Sequence, residues 1–227
     1  MQFFYHKDSG LESITLDSKD AHYLFHVRRF KQGETLLTTN LNDMQLYSYQ
    51  HEKKNTFKLI GLHTQVTQPK AYAHIILAMI DLKDIYDILP ILNALNVASL
   101  QLFYADFSQK NRKIDMQKAQ RMLQYSCMQC GRMKPLEVAI HKDLESVCKA
   151  FPNAIAIDFL ESVETFENLT QQERQNIAKN GVIIGCEGGF SHNERNFLHT
   201  TQRVYALQTP FILTAHLVST YIASLCV

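Results

Sequence analysis

Apolar positions change rhythm near residue 70. Before it, short β-forming segments alternate with polar turns. Gln2–Tyr5, Glu34–Thr38, Met44–Gln50 and Thr56–Val66 read as strands, with Asn40-Leu-Asn-Asp43 and His51-Glu-Lys-Lys-Asn55 as turns. One stretch departs from this: over 20–30, Ala21, Leu24, Phe25 and Phe30 fall near helical spacing, with Arg28, Arg29 and Lys31 beside them. Several short strands in one small region predict a small barrel or compact β module. Gln68-Pro69-Lys70 reads as a linker, because proline ends a strand and biases the residue before it to an extended form.

After residue 72 strands and helices alternate. His74–Met79 is an apolar run, and Ile85, Ile88, Leu89, Leu92 and Leu95 follow at helical spacing, with Pro90 expected to kink or restart that helix. Leu100–Tyr104 is strand-like and Ile114–Cys130 helical; Ala154–Ile157, Val182–Ile184 and Val204–Leu207 complete the strand series. This alternation predicts an α/β domain over 70–227, with a mostly parallel sheet covered by helices on both faces, behind a β domain over 1–69.

The most informative local pattern is Gly181-Val-Ile-Ile-Gly-Cys-Glu-Gly-Gly-Phe-Ser-His-Asn-Glu-Arg195. A buried strand, Val182–Ile184, leads into a turn holding Gly185, Gly188 and Gly189; Ser191 with Glu194 forms a capping box that starts a helix. Such a turn offers free backbone N–H groups to a small ligand, although an unliganded turn has the same pattern. Neither G-x-G-x-x-G nor G-x-x-x-x-G-K-[ST] occurs, which removes the standard dinucleotide and P-loop readings.

Composition narrows the class. A hydrophobic content of 46% and a net charge of +1 describe an ordinary globular chain without a global bias toward nucleic acid. Met1–Asp8 lacks the basic and apolar regions of a signal peptide, and no apolar run reaches the length of a membrane span. Five cysteines, an odd number, argue against a disulfide framework, so the expected compartment is the cytoplasm. Cys127 and Cys130 form a lone C-x-x-C without further ligands, and ten histidines form no metal motif; no metal is expected. Cys186 reads as a small packed side chain, and Ser191 as a cap rather than a nucleophile.

Charge is concentrated locally. Between Ser108 and Pro135, Lys110, Arg112, Lys113, Lys118, Arg121, Arg132 and Lys134 face Asp115 alone. Helical spacing puts Lys118, Arg121, Tyr125 and Arg132 on one face, and Ala119, Met122, Leu123, Cys127 and Cys130 on the other. A basic face carrying an aromatic suits a phosphate backbone with a base to stack; a merely solvated face would look the same.

Several motifs occur here in one order. They are His22-Tyr-Leu-Phe-His-Val-Arg-Arg29 with Lys31-Gln-Gly33, then Gln129-Cys-Gly-Arg132 with Pro135, then Ile184-Gly-Cys-Glu-Gly-Gly-Phe-Ser191 with Glu194. In these the chain resembles, over nearly its full length, the RsmE family of bacterial methyltransferases acting on uridine N3 of 16S ribosomal RNA. The resemblance implies a PUA-like β-barrel for RNA docking, followed by a SPOUT domain with a C-terminal trefoil knot that binds S-adenosylmethionine. It also implies a homodimer acting on the small ribosomal subunit.

Carried onto this sequence, the cofactor would meet Phe159, Ile184, Gly185, Glu187, Gly188, Gly189, Leu207, Ile212, Leu213 and Thr214. Arg28, Arg29, Lys110, Arg112, Arg121 and Arg132 would hold RNA, and Arg132 and Glu187 would assist the reaction. Several positions depart from the family pattern: Cys186 replaces a proline, Met128 a Glu, Ala94-Leu-Asn-Val97 stands for Glu-Leu-Gly-Val, and Leu213 and Ala215 replace an Arg and a Glu of the knot. These last two leave a second reading open, a catalytically weak RNA-binding or assembly protein on the same scaffold.

Overall fold

The computed structural model describes residues 1–31, 33–63, 67–159 and 164–226. Gln32 of the first motif and the last residues of the Thr56–Val66 segment lie outside them. The chain forms two compact units: Met1–Pro69 with Gln124–Pro135, and Lys70–Leu123 with Leu136–Val227. Gln124–Pro135, placed by the pattern in the second domain, thus groups with the first unit.

The first unit holds a five-stranded sheet in the order β1-β3-β4-β5-β2. Its strands are β1 (Phe4–Tyr5), β2 (Ser13–Thr15), β3 (Thr35–Thr39), β4 (Leu46–Lys53) and β5 (Thr56–His63). β1 runs parallel to β3 and the other neighbours are antiparallel. β2 escapes the pattern because a three-residue strand with only Ile14 buried leaves no alternation to read. The expected helix is a short one, α1 (Ser18–His22), capped by Asp17 and continued by a π-helical turn over Tyr23–Val27. Phe4, Ile14, Leu24, Tyr49 and Phe57 fill the core with Cys127, Met128 and Met133 from the second segment. The buried Tyr49 hydroxyl donates to the Leu11 carbonyl at 2.6 Å and accepts from Gly10 N at 3.0 Å, so no polar atom of this side chain is stranded.

The second unit is built on a six-stranded, all-parallel sheet in the order β11-β9-β10-β6-β7-β8. The strands are β6 (His74–Ala78), β7 (Ser99–Phe103), β8 (Glu137–His141), β9 (Ile155–Ile157), β10 (Val182–Ile184) and β11 (Arg203–Tyr205). Every side chain of β7, β9 and β10 is buried, as parallel strands covered on both faces require. α2 (Leu82–Ala94), α5 (Gln171–Asn180) and α7 (Ala215–Cys226) pack on one another and onto the central strands, α4 (Leu144–Ala150) lies on β7 and β8, and α6 (His192–Thr201) lies on β11.

Two expectations are corrected. α2 continues through Pro90 as one helix, so no restart occurs there, held by the apolar stripe of Ile85, Ile88, Leu89 and Leu92 on the core; tertiary packing outweighs the lost hydrogen bond. α3 (Met116–Cys130) ends at Cys130, which is exposed, whereas Cys127 is buried. Arg132 therefore lies beyond the helix and does not share its basic face.

β10 starts from Gly181, which ends α5 with φ 109° and ψ 146°, a conformation that side chains resist. A Cβ there would also meet the Ile76 Cδ1 at 2.7 Å. Gly181→Ala should therefore lower the unfolding free energy by about 1–3 kcal/mol, read from the denaturant midpoint.

Candidate functional site

In the sheet, Ile184 pairs with Ile157 on one side and Leu77 on the other, and Ile157 pairs with Tyr205. The carboxyl ends of β9, β10 and β11 are therefore level, and the loops leaving them meet at one edge. That edge is where open parallel sheets hold ligands.

The loop after β10 is the glycine turn. Gly189 N donates to the Cys186 carbonyl at 2.8 Å, and Gly189 takes φ 70°. A Cβ on Gly185 would stand 3.2–3.3 Å from the Gly189 backbone, so the strand end and the turn lie in direct backbone contact. Cys186 is buried beneath it, and burial pushes its thiol pKa up, which makes it a packing residue rather than a nucleophile. The expected capping box is present: Ser191 Oγ accepts from Glu194 N at 3.2 Å, and Ser191 N donates to Glu194 Oε2 at 2.9 Å. The other Glu194 carboxylate oxygen accepts from Asp106 N at 3.0 Å, and Ser191 Oγ donates to Asp106 Oδ2 at 2.5 Å. One cap thus also fixes the loop after β7.

A second tie crosses from β9 to α6. Arg195 grips Asp158 with two bonds, Nε to Oδ2 at 2.7 Å and Nη2 to Oδ1 at 3.1 Å. The Asp158 side chain is only 3% exposed and that of Arg195 40%; the hydrogen bond to the carboxylate raises the Arg195 pKa further. Glu167 anchors the loop after β11, accepting from Gln208 N at 3.0 Å and from the Tyr221 hydroxyl of α7 at 3.0 Å.

Between these loops lies a cleft with about 640 Å³ of empty space, part of it open to solvent. Of the expected cofactor residues, Phe159, Ile184, Gly185, Glu187, Gly189, Ile212, Leu213 and Thr214 line it. Gly188 and Leu207 do not: Gly188 faces Phe107, and Leu207 packs against the core. Ile157, Asp158, Cys186, Phe190, Ala215 and Val218 complete the walls.

The expected RNA residues divide between the units. Arg28 and Arg29 are exposed in the first, and Lys110, Arg112 and Arg121 in the second. Arg112 pairs loosely with Asp81 at 3.7 Å. Arg132 belongs to the first unit and is only 9% exposed; its Nε donates to the Lys134 carbonyl at 2.5 Å, and burial lowers its pKa. Little of that guanidinium is open to a phosphate.

A family model described as an RNA methyltransferase domain matches residues 67–221. Two curated relatives, both named ribosomal RNA small subunit methyltransferase E and both from Helicobacter pylori, are 35% and 34% identical over 99% of this chain and 99% of each relative. The chain belongs to the RsmE family. The RsmE fold is also found in solved structures. A small subunit methyltransferase E from Neisseria gonorrhoeae, bound to S-adenosylmethionine, superposes with a TM-score of 0.74 at 13% identity, covering 99% of this chain and 95% of that one. A methyltransferase from Legionella pneumophila in complex with the same cofactor gives 0.75 at 19% identity, covering 99% and 96%. At these identities the likeness establishes the α/β fold with its parallel sheet, and that alone.

In this RsmE chain, Asp158, Arg195 and Glu167 are the site residues that sequence reasoning misses. Their partners lie far along the chain, where periodicity carries no signal. If the ion pair joins β9 to α6, Asp158→Ala and Arg195→Ala should be non-additive. We expect a coupling of about 1–2 kcal/mol in a double-mutant cycle, moderated by the half-open guanidinium; additivity would dissolve the tie.

Proposed function

We infer that this protein is an S-adenosylmethionine-dependent methyltransferase that modifies N3 of a uridine in the 16S RNA of the small ribosomal subunit. Membership of the RsmE family supports the reaction class. The observation that carries the reading for this chain is the shared cleft: the turn over Gly185–Phe190 and the segment over Ile212–Ala215 line one open space at the carboxyl edge of the sheet.

The lining suits this cofactor. Ile184, Ile212, Leu213 and Val218 offer apolar walls to an adenine, while turn backbone groups and the exposed Glu187 offer polar contacts and a negative charge for the cationic end. Bound there, S-adenosylmethionine supplies a methyl group on a sulfonium, already activated for transfer. The chain's part is to hold the uridine in line with that methyl and to keep competing water out. N3 must lose its proton before its electron pair forms the bond to carbon, and the exposed cations Lys110, Arg112 and Arg121 favour the resulting negative charge and hold phosphate. Leu213 and Ala215 stand in the cleft as apolar wall, so binding here relies on shape and backbone rather than on the family's charged pair.

The same reading covers the architecture. The first unit acts as a PUA-like RNA-docking barrel and the second as a SPOUT domain, with Gln124–Pro135 counted in the first. A trefoil knot in the C-terminal segment is supported by the bridge between Thr165 and Ala206 and by Glu167 holding both Gln208 and Tyr221. A homodimer is supported by the exposed apolar Phe159, Phe211, Ile212 and Leu217 near the cleft and on α7. Among the described residues no helix is long and apolar enough to cross a membrane and no group of His, Cys, Asp and Glu could hold a metal; the cytoplasm follows from the substrate.

Calorimetry with S-adenosylmethionine, followed by tritium transfer to small subunits from cells lacking the modification, tests the assignment. Binding with transfer supports it; RNA affinity without either leaves an assembly protein on this scaffold. Ile212→Ala removes an exposed cleft wall, so it should weaken the cofactor about tenfold while leaving the melting midpoint in place. Lys118→Ala with Arg121→Ala should flatten the salt dependence of RNA binding by about 0.7 for each phosphate no longer neutralised; an unchanged slope removes α3 from the interface.

A further inference from the structure

The loop between β7 and α3 presents an aromatic ring to solvent beside the glycine turn. Phe107 is 58% exposed, although its neighbours Ala105 and Ser108 are buried. The loop is tied at each step. Ser108 N donates to the Ala105 carbonyl at 3.1 Å, and Ala105 N donates to Ser108 Oγ at 3.1 Å. Asp106 is held from both sides by Glu194 and Ser191 of the cap on α6. Further on, the Tyr104 hydroxyl donates to the Arg112 carbonyl at 2.7 Å, and Arg112 Nε donates to Gln109 Oε1 at 2.9 Å. Full burial of a Phe is worth about 1.5–3 kcal/mol, and that gain is only partly taken.

The position of the ring is as specific as its exposure. A Cβ on Gly188 would meet the Cβ and Cδ2 of Phe107 at 3.2 and 3.3 Å, so glycine leaves the room that Phe107 occupies. The residues on either side of Gly188, Glu187 and Gly189, line the cleft. Phe107 therefore stands at the rim of the cleft, one residue from its wall. Exposed cations Lys110, Arg112 and Lys113 follow on the same loop; of the acidic residues nearby, Asp106 is engaged by Ser191, Asp81 pairs loosely with Arg112, and Glu187 belongs to the cleft wall. A preorganised aromatic with cations beside it is how proteins hold unpaired nucleotides, the ring stacking on a base and the cations meeting phosphate.

We propose that Phe107 is a base-stacking platform for an unpaired nucleotide of the substrate RNA at the rim of the cleft. The proposal rests on the methyltransferase reading and adds a substrate-positioning residue to it. Stacking on an aromatic is worth about 1–3 kcal/mol per base, so Phe107→Ala should lower kcat/KM on undermethylated small subunits by about 5- to 150-fold. Phe107→Leu, apolar but not aromatic, should fall with it, and Phe107→Trp should retain most of the wild-type rate. Cofactor affinity by calorimetry, melting midpoint and oligomeric state should be the same in all four proteins. A fully active Leu variant, a parallel loss of cofactor affinity, or a change in oligomeric state on removing the ring would overturn the platform. A wild-type protein that neither binds the cofactor nor transfers methyl would instead overturn the underlying function.

Discussion

The site depends on one steric constraint: Gly185 packs so closely on the backbone of Gly189 that a Cβ there would stand 3.2–3.3 Å from it, tighter than ordinary contact. The end of a buried strand is thereby pressed onto a turn that doubles back over it, leaving backbone groups at the cleft wall. Side chains supply the rest of the cleft, but they do so around this contact. A turn held by backbone packing alone would be free to open at its far end, where it becomes α6. The Ser191–Glu194 cap and the Asp158–Arg195 pair close that end.

These two ties work differently. The cap satisfies the first N–H groups of α6, as any good cap does, and uses its spare oxygen atoms to hold Asp106. It links strands β7 and β10, whose loops would otherwise move independently. The ion pair buries one charge almost completely and leaves the other half-open. Its contribution lies in fixing the geometry of two neighbouring strand exits more than in net stability. Glu167 does the same for the loop after β11, so each of these strand exits is pinned by a polar contact.

How much of this is legible in the sequence depends on how local each feature is. Val182–Ile184 is readable to the residue because a continuous β-branched run between two glycines has few other solutions, and Ser191 with Glu194 because a capping box is confined to four positions. β8 escapes such reading: an edge strand with Glu137 and Ile140 exposed shows neither a clean alternation nor a continuous run. Pro90 misleads because a local rule is outweighed by the apolar stripe around it, and Arg132 because the helical face of Lys118 and Arg121 does not extend past Cys130, where α3 ends as expected. Asp158, Arg195 and Phe107 have no local signature at all; what makes them notable is what the fold puts beside them.

The strand order carries a consequence for how the protein is made. β6 lies at the centre of the large sheet, yet its partner on one side is β10, so Ile75 must wait for Val182. At about 5–20 residues per second, translation leaves that largely apolar strand with one edge unpaired for on the order of ten seconds. During that interval the nascent chain presents the kind of edge that other chains can pair with. The ribosome-bound protein is therefore most vulnerable to aggregation just before the glycine turn emerges, and the segment that shapes the cleft is also the one whose arrival ends the exposure.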